Sequence, residues 1–267
     1  MSAKNGILAI ENTTMDYICF GSGSRNLIIL PGLGDGLRTV KGTALAMAAM
    51  YRMFAKDFTV YALSRRNDLP EGFSTRDMAR DVILAMDALG IEKADFFAVS
   101  MGGMIAQYCA IDYPNRVGRL VLAVTASRPN SILTDSIRLW MDQARRSDHI
   151  ALMESNLQLI YSEDYYRKNK RLIPVIAKMT KPKSYDRFLI MAQACLQHNA
   201  YDRLHSIQSP TLVIGAEKDL ALGAEASREL AAAIPSAKLH IYPKWGHGVY
   251  EEEKDFNPRV LNFLLSP

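Results

Sequence analysis

Asp95-Phe96-Phe97-Ala98-Val99-Ser100-Met101-Gly102-Gly103-Met104-Ile105 sets one hydroxyl between two apolar runs. Phe96 to Val99 reads as a short buried strand, and Met101 to Tyr113 as a helix. A sharp strand-to-helix turn needs small residues two before and two after its apex, because the chain passes close to itself there. Ala98 and Gly102 meet that requirement. Such a turn would lift Ser100 Oγ above the sheet edge and aim the N–H of Met101 at whatever oxygen the hydroxyl attacks. The competing reading is a serine that merely caps the following helix.

The flanking chain alternates strand and helix. Gly6 to Glu11 and Thr14 to Phe20 read as two strands of a hairpin-like start. Leu27 to Leu30 is a buried strand that runs into the glycine-rich loop Pro31-Gly32-Leu33-Gly34-Asp35-Gly36. Ala44 to Lys56 reads as a helix, and Phe58 to Leu63 as a strand. A helix capped at Ser74 or Thr75 runs to about Leu89 and stops at Gly90. Leu120 to Val124, Thr211 to Gly215 and Lys238 to Tyr242 complete the strands. Strands apolar on both faces, separated by helices, predict a mainly parallel sheet flanked by helices. From 130 to 198 no strand is readable, and four helical stretches take its place. Residues 1–127 and 206–267 therefore read as one α/β core, with 128–205 as a helical insertion.

Composition narrows the classes. The 49% hydrophobic content supports a substantial core, and no apolar run reaches the roughly 18 residues that span a bilayer. The start of the chain predicts no secretion signal. Cys19, Cys109 and Cys195 lie far apart, which predicts reduced thiols in a cytoplasm and no metal site. Residues 128–205 hold 13 Lys/Arg against 8 Asp/Glu, so the basic excess sits in the insertion. No nucleic-acid motif accompanies it, and it reads as a solvated helical surface. The glycine-rich loop lacks both nucleotide-binding spacings, so no cofactor is expected.

A serine hydroxyl near neutral pH needs a base, and the base needs a partner to fix its tautomer. Of five histidines, His247 alone lies in a loop directly after a strand, in Lys244-Trp245-Gly246-His247-Gly248. Sites of open α/β sheets form at such strand ends. Glu217 and Asp219 both follow the strand ending at Ile214. Asp219 is preferred as the orienting acid, because Glu217 stands earlier in the turn. Leu33 N–H, from the loop after the first long buried strand, is the expected second oxyanion donor beside Met101.

Four separated motifs, Pro31-Gly32-Leu33-Gly34, Ala98-Val99-Ser100-Met101-Gly102-Gly103, Gly215-Ala216-Glu217-Lys218-Asp219 and Gly246-His247, agree in type and order with one family. From about residue 6 onward the chain resembles the α/β-hydrolase superfamily. Ser100 to Gln107 is similar to the matching stretch of its small-ester, enol-lactone and carbon–carbon bond hydrolases. The resemblance implies a Ser100–Asp219–His247 triad, a helical cap over 128–205 and a small acyl substrate without nucleic-acid or membrane partner. It leaves open cleavage of an ester or lactone, a carbon–carbon bond, a peptide or a thioester, and a ligand receptor of low turnover. Two departures stand out. Pro31 precedes Gly32 where many members have histidine, and Ser64-Arg65-Arg66-Asn67-Asp68 replaces the usual Asp-x-Arg-Gly. The expected substrate wall is Gly32, Trp140, Met141, Met153, Met191 and Trp245, with Arg138 and Arg187 expected to lie exposed on the cap surface.

Overall fold

The computed structural model describes residues 2–266. Eight strands form one sheet: β1 (Ala3–Ile10), β2 (Thr13–Gly21), β3 (Arg25–Leu30), β4 (Phe58–Arg66), β5 (Ala94–Val99), β6 (Val117–Ala123), β7 (Thr211–Ala216) and β8 (Lys238–Tyr242). Their spatial order is β1-β2-β4-β3-β5-β6-β7-β8. β1 and β2 pair antiparallel, as do β2 and β4, and every later pairing is parallel. β5 and β7 are buried at every residue, as central parallel strands between two helical layers must be.

The core helices are α1 (Ala44–Met50), α2 (Thr75–Ala88), α3 (Met101–Asp112), α9 (Ala224–Ala233), the one-turn α10 (Val249–Glu252) and α11 (Phe256–Leu265). Between β6 and β7 run α4 (Ser131–Arg145), α5 (His149–Ile160), α6 (Glu163–Asn169), α7 (Ile173–Thr180) and α8 (Asp186–Gln197). Ser74 starts α2 with a capping box completed by Asp77, and Gly90 follows its end at φ +69°.

Two readings of the sequence need correction. The helix expected over 44–56 stops at Met50 and gives way to a tight turn, Arg52–Phe54. The cause is aromatic packing: Tyr51 and Phe54 turn inward onto Phe97, with ring centroids 5.8 and 6.2 Å away. Arg187, expected on the surface, is instead drawn into the interface between α8 and the loop after β3. Its guanidinium donates to Asp35 Oδ2 at 2.6 Å and to the carbonyls of Arg65 and Arg66 at 3.2 and 2.9 Å. Arg138 is exposed as expected.

The replaced Ser64-Arg65-Arg66 motif also proves to be interior. Ser64 Oγ accepts from Val40 N–H, and Arg66 Nε donates to Asp81 Oδ2 at 2.6 Å. Arg65 is 1% exposed and reaches the Pro31 carbonyl. Burial lowers the pKa of its guanidinium, and the charge of Asp35 works against that.

Candidate active site

Ser100 sits at the apex between β5 and α3 with φ +54° and ψ −122°, a conformation that non-glycine residues rarely adopt. The surroundings hold it there. Ser100 N–H donates to Ala123 O at 2.9 Å, and Thr125 Oγ1 donates to Ser100 O at 2.7 Å. A Cβ on Gly102 would lie 2.1 Å from Leu30 O, so the helix can approach β3 only with glycine at that position. Ser100 makes no side-chain capping bond to α3. The capping alternative therefore fails, and the strain has a different use.

His247 is buried, and its Nδ1 lies 2.8 Å from Asp219 Oδ2. The other carboxylate oxygen, Oδ1, accepts from the backbone N–H groups of Ala221 and Leu222, both at 2.9 Å. Asp219 is thus fixed by its own turn and can only accept from the imidazole. The proton then belongs on Nδ1, and Nε2 is left as the basic nitrogen. Glu217 is turned outward and pairs with Arg228 at 2.7 Å. No hydrogen bond joins Ser100 Oγ to His247 among the described residues, but both line one cavity of about 510 Å³.

Leu33 opens the tight turn Leu33–Gly36 that also lines this cavity. Neither Leu33 N–H nor Met101 N–H donates to an acceptor among the described residues, as first residues of helical turns allow. Gly32 brings the loop close: a Cβ there would lie 3.2 Å from Ser100 Cβ and 3.7 Å from Oγ.

The cavity wall differs from the expected one. Gly32 and Trp140 belong to it; Met141, Met153, Met191 and Trp245 do not. Met141 lines an outer groove with Arg138 and Arg145. Met191 is fully buried under the Leu33–Gly36 turn, with Sδ 3.2 Å from where a Cβ on Gly36 would lie. Met153 is half-buried, and Trp245 turns its indole N–H to Glu253. The methionines that do face the cavity are Met47 and Met50 of α1, which helical periodicity alone does not distinguish from core. The helices between β6 and β7 contribute Trp140, Asn156, Ile160 and Phe188. Tyr161, Tyr250 and Glu251 complete one side, and sequence reasoning missed all three.

Similarity to known proteins agrees with this geometry. The family described as alpha/beta hydrolase fold matches residues 25–254. The chain belongs to the α/β-hydrolase fold family. A 2-hydroxy-6-oxononadienedioate/2-hydroxy-6-oxononatrienedioate hydrolase of Comamonas testosteroni is 29% identical over 88% of this chain and 85% of its own. A Caulobacter sp. (strain K31) protein, provisionally named a carbamate hydrolase, is 26% identical over 91% of both chains. The solved enol-lactonase of Burkholderia xenovorans LB400 superposes with a TM-score of 0.81 at 25% identity, covering 98% of this chain and 100% of that one. These α/β-hydrolase relatives act, by name, on different bonds. Among the described residues of this chain, no helix is long and apolar enough to cross a membrane.

Proposed function

We propose that the protein is a serine hydrolase cleaving a small carboxylic ester or lactone through an acyl-enzyme. Ser100 Oγ attacks the carbonyl carbon, and His247 Nε2 takes its proton. The oxyanion forms against the N–H groups of Leu33 and Met101. His247 then protonates the leaving alcohol as the carbon–oxygen bond breaks, and the acyl group stays on Ser100. Water deprotonated by His247 releases the acid. Asp219 holds the imidazole and stabilises its cation throughout.

The observation that carries this reading is the strained Ser100 in the same cavity as a histidine whose Nδ1 is bonded to a buried, turn-fixed carboxylate. Residues 128–205 act as the cap that closes the cavity, and the three free thiols suit a reducing cytoplasm. Carbon–carbon bond hydrolysis of a dioxo acid is the second reading. It needs the same groups and is favoured by the Comamonas relative.

The test is covalent labelling. A fluorophosphonate should modify wild type at Ser100, and Ser100→Ala should lose both the label and turnover of p-nitrophenyl acetate. Label mapped to another serine would end the assignment. Labelling without multiple turnover would favour a ligand receptor on this fold.

A further inference from the structure

Glu251 is one of two acidic groups of the cavity, with Asp35, that the proposed chemistry leaves unused. It follows His247 by four residues and lines the same cavity as Ser100. Its Oε2 accepts from Tyr161 Oη at 2.7 Å. Glu251 is exposed at the edge of the cavity, and partial desolvation there raises its pKa above the ordinary carboxylate value. The Tyr161 hydroxyl, in contrast, favours the ionised form.

No cation reaches this carboxyl among the described residues. It forms no salt bridge with lysine, arginine or histidine, whereas Asp35 in the same wall is paired with Arg187. Arg38, the arginine of the wall, bonds to neither acid. Glu252 next door is bonded to Ser162. Tyr51, Tyr161 and Tyr250 stand near it in the cavity wall. Such a carboxylate lacks a counter-charge, and aromatic faces attract cations through their quadrupoles. A guest ammonium would supply what the protein omits.

We propose that Glu251, with the surrounding tyrosines, forms an ammonium subsite, so that the preferred substrate carries a protonated amine or quaternary ammonium group near its scissile carbonyl. This deepens the hydrolase reading and rests on it for the word substrate. The binding itself does not depend on turnover.

The experiment compares cations with neutral isosteres. Acetylcholine is set against 3,3-dimethylbutyl acetate for the alcohol side. The p-nitrophenyl esters of 4-(trimethylammonio)butyrate and 5,5-dimethylhexanoate serve for the acyl side. In wild type, kcat/KM for the cation of at least one pair should exceed its isostere by roughly tenfold. In Glu251→Gln that ratio should fall to near one. A purely structural tie between Tyr161 and Glu251 would lower both members of each pair alike, leave the ratio unchanged and overturn the proposal.

Should Glu251→Gln fail to fold, calorimetry on Ser100→Ala decides: choline should bind about tenfold more tightly than 3,3-dimethyl-1-butanol. Equal binding refutes the subsite even if p-nitrophenyl acetate is hydrolysed. Choline binding with no ester hydrolysed by wild type supports the subsite and sinks the hydrolase reading alone.

Discussion

Replacing Arg187 by leucine should cost both stability and rate, because this arginine of α8 clamps the loop that carries Leu33. Asp35 is 1% accessible at its side chain and Arg187 17%, and their contact is 2.6 Å. Asp35 Oδ2 has one further donor, the backbone N–H of Arg65 at 3.0 Å, and Oδ1 has no partner among the described residues. Arg187→Leu would therefore strand a buried carboxylate with a single N–H. Breaking a buried pair from one side costs about 3–5 kcal/mol. The remaining Arg65 donor places the loss near the lower end, about 3 kcal/mol. For a domain of this size that corresponds to a melting-point drop of roughly 6–12 °C. The turn freed by the mutation includes Leu33, the proposed oxyanion donor, and loss of such a donor lowers kcat by about 10²–10³-fold. A displaced donor should cost part of that, with KM changing less. Scanning calorimetry and p-nitrophenyl acetate kinetics on Arg187→Leu, Asp35→Leu and the double variant read both effects. The double variant should be less destabilised than the two single costs combined, since it removes the stranded charge. Single costs below about 1 kcal/mol, or costs that simply add, would refute the clamp.

Three further outcomes follow from the geometry. Asp219→Asn should lower kcat by about 10⁴-fold with the fold intact, because the amide no longer accepts from Nδ1–H, while Glu217→Gln should change little; the reverse ranking in folded variants would refute the triad. Burial pushes His198 down to about 3 from the 6.5 of an exposed imidazole, so the unfolded chain binds a proton the fold refuses between those values. Stability should then be full above pH 6.5 and fall as the pH drops towards 3, by up to about 1.4 kcal/mol per unit, and His198→Gln should flatten this slope in denaturant titrations. In an ester series from acetate to palmitate, kcat/KM should rise and then drop within medium acyl lengths, and Met47→Ala or Met50→Ala should move the cutoff while Met141→Ala should not; a profile flat to palmitate would remove the closed wall.

The sequence made the candidate site legible because each part lies at a strand end and is announced by local chemistry. Ala98 and Gly102 mark the turn around Ser100, glycines flank His247, and Asp219 closes a strand-following turn. The parallel sheet was readable for a similar reason, since β3, β5, β6 and β7 each hold an apolar run of at least four residues, with charged residues only towards their starts. What escaped depends on partners distant along the chain. Arg187 meets Asp35 across 152 positions, and Tyr161 meets Glu251 across 90. Helical spacing identified Met141 and Met191 as apolar-face residues, but it does not say whether the facing surface is a cavity, a groove or the underside of a turn. The early end of α1 was invisible because Tyr51 and Phe54 leave the helical path for Phe97, a residue on another strand.

These long-range contacts fall into a pattern. The segment between β6 and β7 grips the core on two sides of the cavity. On one side Arg187 of α8 holds the turn that carries Leu33. On the other, the carbonyl at the end of α5 takes Gly248 N–H at 2.6 Å, while Ser162 and Tyr161 bond to Glu252 and Glu251. Gly248 directly follows His247, so this second grip fixes the loop that carries the imidazole. Ser100, in contrast, is held entirely by core elements: Ala123, Thr125 and the close approach of Gly102 to Leu30. The helical segment therefore does more than roof the cavity. It braces the loops bearing Leu33, the proposed oxyanion donor, and the imidazole, so a shift of these helices on meeting a guest would move both relative to Ser100. On the proposed chemistry, a cavity whose reacting groups are aligned partly by these helices responds to the shape of the guest through rate as well as through affinity.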